Sequence, residues 1–219
     1  MKFLLMALMA LMAQADDGVL VGNGGDSVMC KAMAGSPKFT YTGIYVLDYA
    51  LDFPEDQSSV VPIRTMKEAL DRVERLVSEK LPEALNSFRS FRATLDPAPF
   101  VETAERVWVG KEIPLRDIRD EFARNLPKNC LFQRNGSVKR GFIQQTVIRT
   151  KRNGRVRYEF DRGFVEEYLS RPDPLQASIL MVHEWLWDFY ERNKAGAPFI
   201  RKANYFLHSR EAETVSVEE

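Results

Sequence analysis

His183 and Glu184 are the residues whose types and spacing point most directly to chemistry. The chain has two histidines, and this one lies in its most apolar stretch, among Ile179, Leu180, Leu186 and Trp187. An imidazole and a carboxylate buried without partners would cost several kcal/mol, so something must satisfy them. One answer is a metal-ligand histidine followed by a catalytic glutamate, as in H-E-x-x-H, where two histidines one turn apart hold zinc and the glutamate activates its water. The other is a buried structural pair, with Glu184 on a basic residue such as Arg201 and His183 on a backbone carbonyl.

Other candidates carry weaker signals. Gly25-Asp26-Ser27 has the start of a serine-esterase motif, but no D-x-x-H supplies a base: Tyr205 lies three before His208 and Leu180 three before His183. A serine without a base is a poor nucleophile. The glycine-rich Gly22 to Gly25 run has no following Gly-Lys-Ser/Thr and no dinucleotide spacing, which argues against a phosphate loop. Arg149, Lys151, Arg152, Arg155 and Arg157 crowd one hairpin, an arrangement suited to an anionic envelope polymer such as lipopolysaccharide or cell-wall material. Paired carboxylates for glycoside hydrolysis cannot be singled out among 31 acidic residues.

Several elements must position these groups. Thr65 and Glu68 form a capping box for a helix with Met66, Ala69, Leu70, Val73, Leu76 and Val77 at helical spacing. On its wet side Glu68–Arg72 and Asp71–Arg75 are expected i,i+4 pairs. Pro82 breaks this helix and starts a second, with Leu85, Phe88 and Leu95 on one face and Pro97 and Pro99 at its end. Strands are expected around residues 28–32 and 107–109, and a helix over 117–126; residues 39–53 read as either. Asn135-Gly136 and Asn153-Gly154 predict hairpins, because Asn-Gly tolerates the two positive φ angles of a type I′ turn. For the second, Val147 should face Phe160 and Arg149 should face Tyr158. Pro174 suits the first turn of a helix reaching Tyr190 that is apolar nearly all round, as a buried central helix would be. A final amphipathic helix over 199–209 turns Ile200, Ala203, Phe206 and Leu207 inward.

The resulting fold class is α+β: amphipathic helices and a small antiparallel sheet with hairpins, packed on the buried C-terminal helix that bears His183-Glu184. The 219 residues, 45% hydrophobic and 28% charged, suit one domain with a substantial core. Equal numbers of acidic and basic side chains and a pI near 6.8 argue against a nucleic-acid binder. Residues 1–15 read as a signal peptide: Lys2, an apolar run too short to span a bilayer, then Ala13-Gln14-Ala15. Its removal leaves 30 basic against 31 acidic residues, an exported periplasmic or extracellular chain of residues 16–219, and no transmembrane segment. Residues 16–26 read as flexible and 211–219 as a frayed acidic tail. Export and an even count favour a disulfide between Cys30 and Cys130.

The run VRYEFDRGFVEEYLSRPDPLQASILMVHEWLWDF resembles the core of small zincin-type metallopeptidases, in which a hairpin strand leads into a helix bearing H-E-x-x-H. The whole chain is also similar to uncharacterised secreted bacterial proteins that begin with GNGGD, carry a cysteine soon after and have QA and HE late. The first resemblance implies Glu184 as general base and zinc as cofactor, held by His183 and by His208 as the downstream ligand. The sequence departs from the motif at Trp187, which cannot bind a metal, and Asp188 is rotated off that face. Two functions stand open at this level: a non-catalytic binding or structural protein, with an envelope polymer or a protein as partner, and a metal-dependent hydrolase acting on peptides.

Overall fold

The computed structural model describes residues 25–31, 41–53, 57–96, 99–111, 131–134, 137–140, 142–163, 165, 174–190 and 196–215. Residues 1–24, the expected helix over 117–126 and Cys130 fall outside them, so neither the leader nor the Cys30–Cys130 pairing is among the described features.

Among the described residues eight strands form two three-stranded sheets and one two-stranded sheet. In the first sheet β1 (Asp26–Lys31) lies between β2 (Tyr41–Val46) and β6 (Phe142–Gln145), antiparallel to both. In the second, β8 (Arg155–Asp161) lies between β7 (Val147–Arg152), antiparallel, and β3 (Arg106–Lys111), parallel. The strands β4 (Leu131–Arg134) and β5 (Ser137–Arg140) make the remaining pair. The expected antiparallel sheet is thus corrected in one pairing: β3 enters the edge of β8 in the same direction.

The Asn153-Gly154 turn behaves as its chemistry requires. Both residues have positive φ, 52° and 75°, and the ladder pairs Val147 with Phe160 and Arg149 with Tyr158. Only the single residue Thr146 separates β6 from β7, so one run of chain crosses from the first sheet to the second. Its amide donates to the Gly25 carbonyl (3.0 Å).

The ambiguous segment 39–53 is both things in turn: β2 runs directly into the short helix α1 (Leu47–Asp52). The capped helix is α2 (Met66–Lys80), with the Thr65 hydroxyl accepting from the Glu68 amide at 3.0 Å. A 3-10 turn at Pro82–Ala84 leads into α3 (Leu85–Arg92). The expected ion pairs on α2 give way to others. Arg72 and Arg75 both reach Glu213, and Asp71 takes Lys67 and Arg92.

The centre is α4 (Pro174–Tyr190), buried without a break from Leu175 to Leu186. Against it pack α5 (Ala197–His208), α2, α1, α3 and β2. The core joins Leu70, Val73, Leu76 and Val77 of α2 to Ile179, Leu180, Val182 and Trp185 of α4, and to an aromatic layer in which Trp108 and Tyr158 stack at 4.2 Å. In the acidic tail α6 (Glu211–Thr214) buries Ala212 and pairs Glu213 with Arg72 and Arg75. Among the described residues no helix is long and apolar enough to cross a membrane.

Candidate functional site

A helix buried on all sides has no wet face for its polar residues, so each must find a partner inside the protein. On α4 five of them, Gln176, Ser178, His183, Glu184 and Asp188, each reach a different segment. Gln176 Oε1 accepts from the Val46 amide (2.9 Å), where β2 becomes α1. Ser178 lies 2.9 Å from His208 Nε2 of α5. His183 Nδ1 lies 2.7 Å from Asp48 Oδ2 of α1. Glu184 Oε1 accepts from the Gly25 amide (2.5 Å) at the start of β1. Asp188 takes Arg106 of β3 (2.7 Å) and Arg149 of β7 (3.0 Å).

The His183 end forms a connected set. Asp48 Oδ2 also accepts from Asn204 Nδ2 at 2.7 Å, and the same nitrogen donates to the Ile179 carbonyl. Burial alone would push the imidazole toward neutrality. The charge and hydrogen bond of Asp48, helped by Glu184 and Asp26, overcome it and push the His183 pKa up to about 9. The ring is therefore an imidazolium at neutral pH, with Nδ1 donating. Its Nε2 finds no hydrogen-bond partner among the described residues, and neither does Glu184 Oε2.

Glu184 is held by a backbone amide. Burial raises its pKa above the ordinary carboxylate range; His183, the Gly25 amide and Arg149 oppose that, and Asp48 adds to it. Arg201, the partner expected from sequence, instead bonds Asp52 at 2.5 Å. The expected backbone carbonyl for His183 is likewise replaced by Asp48.

Gly25, the last glycine of the glycine-rich run, has a packing role. A Cβ there would lie 2.3 Å from Leu180 Cδ1 and 2.8 Å from Glu184 Oε1. Only a residue without a side chain lets this backbone approach α4 so closely. Gly25→Ala is expected to lose about 1–3 kcal/mol from overpacking a rigid site, or several degrees at about 2–4 °C per kcal/mol for a domain of this size. A thermal melt checks it, and an unchanged midpoint would refute the close contact.

His208 and His183 are not brought into one ligand set. His208 Nδ1 lies 2.9 Å from its own helix's Asn204 carbonyl and Nε2 faces Ser178. Both ring nitrogens of His208 are taken by protein groups. Among the described residues no group of three or more His, Cys, Asp or Glu is arranged to hold a metal ion.

No protein-family model, curated protein sequence or solved structure matches the chain.

The basic cluster is corrected by the strand register. Arg149 shares the inward face of β7 with Val147 and is buried. Arg155 pairs with Glu102 and Arg157 with Glu159, and Lys151 is also engaged. Of the five residues Arg152, Arg155 and Arg157 are exposed, Lys151 is half-buried and Arg149 is buried, so the five do not present one basic face. Ser27 is buried, with its hydroxyl 2.5 Å from that of Thr146.

Sequence reasoning missed Asp48, Asn204, Ser178, Asp188 and Arg106. Asn204 carried a legible signal: it stands four residues after Ile200 and four before His208, on the inward stripe of an amphipathic helix. Asp188 carried another, lying one turn beyond Glu184 on the same face of α4. Asp48 had none, because its segment could not be assigned to helix or strand.

Proposed function

We propose that this is an exported, non-catalytic protein, acting by binding or as a structural component, on a degenerate zincin-like core. In it the His-Glu pair has become an internal fastening. The observation that carries the reading is the Gly25 contact. The backbone of β1 lies directly on Glu184 Oε1, where a general base would need room for a water and a substrate carbonyl. The occupied ring of His208 and the carboxylate on His183 support it further. The partner is a polymer or a protein of the envelope.

Metal analysis of the purified mature protein is expected to find substoichiometric zinc; stoichiometric zinc that is lost in His183→Ala overturns the proposal. Two Glu184 variants add a second check. Glu184→Gln keeps an oxygen for the Gly25 amide and removes a carboxylate that burial disfavours. A carboxyl whose folded pKa is raised contributes stability below its unfolded value and loses it as pH rises through the folded one. The glutamine variant is therefore expected to match or exceed wild type in melts, by a margin that grows as pH rises. Glu184→Leu leaves the buried Gly25 N–H without an acceptor and is expected to lose about 1–3 kcal/mol.

A further inference from the structure

We propose that the junction between α4, the C-terminal end of α5 and the segment over residues 57–61 is an acid-opened latch, with His208 as its trigger. The geometry begins with the ring itself. His208 is completely buried. Its Nδ1–H donates to the Asn204 carbonyl (2.9 Å), a group that can only accept. Its other nitrogen is left to accept from the Ser178 hydroxyl (2.9 Å), which fixes the neutral tautomer.

Everything that closes the junction is attached at or beside this residue. The His208 carbonyl accepts from the Val61 amide (3.1 Å) and the Ser59 carbonyl from the Arg210 amide (2.7 Å). Val60 and Ser209 form an antiparallel bridge. The Arg72 guanidinium bonds the Leu207 carbonyl and the Ser209 carbonyl (2.7 Å), one residue to either side of His208. A proton on Nε2 therefore adds a second positive charge beside Arg72 in the interior, and the Ser178 hydroxyl loses its acceptor.

The charged groups around the ring are few. From α2 there is Arg72, from α1 Asp48, and from α6 Glu213, which sits on Arg72 at 3.0 Å. The described residues of α4 in contact offer Ser178, and residues 57–61 carry no ionisable side chain. The Phe53 ring lies 6.3 Å away. Burial first, then Arg72, depress the His208 pKa to about 4, against the pull of the Asn204 carbonyl and Asp48.

The sign follows. A histidine whose pKa is depressed in the closed form keeps the latch shut above its ordinary value of 6.5 and weakens it progressively as pH falls toward 4. The backbone bonds of this strap are few, and it is flanked by half-buried Val61 and exposed Arg210, so it is expected to open locally while the rest of the protein stays folded.

Hydrogen exchange of the full mature chain, corrected for the intrinsic pH dependence of exchange, tests it. Between pH 7 and pH 4.5 the Val61, Ser209 and Arg210 amides should lose protection on the order of 100-fold. The β7–β8 ladder should not follow. His208→Gln should abolish this pH dependence, whereas Glu213→Gln should retain it, which separates the histidine from the carboxylate on Arg72. Unchanged protection in wild type at the three amides, or a dependence that persists in His208→Gln, overturns the proposal. If His208→Gln does not fold, the imidazole proton resonances of His208 decide in wild type. A titration near 4 that moves with the three amides supports the latch, and amides that titrate apart from the ring overturn it.

Discussion

Asp188→Ala should cost about 3–5 kcal/mol, the typical loss when one partner of a buried ion pair is removed, out of the ~5–15 kcal/mol that holds a domain together. Asp188 is the carboxylate on which two buried guanidiniums converge. The side chains of Arg106, Arg149 and Asp188 are only 6%, 2% and 7% exposed. Arg106 retains the Ser90 hydroxyl (2.6 Å) and Glu105 (3.1 Å) after the substitution. Arg149 loses the same carboxylate. Replacing all three by apolar residues, Arg106→Met, Arg149→Met and Asp188→Leu together, should recover most of the loss. The net worth of a buried ion group over a packed apolar one is small, while the cost of leaving half of it is large. Denaturant unfolding of the single and triple variants measures both quantities. A single variant with wild-type stability would show that water reaches these guanidiniums.

The second large effect is expected at Asp48, and it is a reversal in pH dependence as much as a loss. In wild type the His183 pKa rises from its ordinary 6.5 to about 9. At about 1.4 kcal/mol per decade this corresponds to about 3 kcal/mol. Because the folded value is the higher one, that stability is fully present below pH 6.5 and is lost as pH rises through 9. Asp48→Asn removes the charge that opposes desolvation. Burial then dominates, the imidazole becomes neutral in the folded state, and its pKa falls below 6.5. The contribution of His183 should then be present above pH 6.5 and be lost on acidification. The substitution also replaces the oxygen shared by His183 and Asn204 with an amide that must choose between donating and accepting. Following the His183 imidazole resonance by NMR in both proteins, alongside melts from pH 5 to pH 9, checks the shift and its sign. A His183 pKa still near 9 in the variant would mean that Glu184 and Asp26, not Asp48, hold the proton.

Local features of this molecule were legible because short-range physics decides them. The Asn153-Gly154 turn needs two positive φ angles, and once it is placed, the period of two along the strands dictates that Val147 meets Phe160 and Arg149 meets Tyr158. The same register already implied that Arg149 points inward with Val147, yet its position in a basic run favours a surface reading. Thr65 caps α2 because a hydroxyl three residues before an amide closes that ring locally. The helix from Pro174 to Tyr190 was legible from its uniform apolarity, and burial on all sides is what such a helix requires.

Sequence by itself therefore determined the α+β class, the central helix, the hairpin register and the demand that His183 and Glu184 be satisfied inside the protein. It could not name the groups that satisfy them. Asp48 lies 135 residues from His183, and Gly25 lies 159 from Glu184. At such separations no periodicity or capping rule relates two positions, and only the packing of α1 and β1 against α4 brings them together. Tertiary structure likewise decided the charge states. The two histidines have the same intrinsic chemistry, but a carboxylate meets one ring, while a carbonyl, a hydroxyl and a nearby guanidinium meet the other. One is held charged and the other neutral, because the free energy of a buried proton is set by the dipoles and charges within a few ångströms of it, and those arrive from distant parts of the chain.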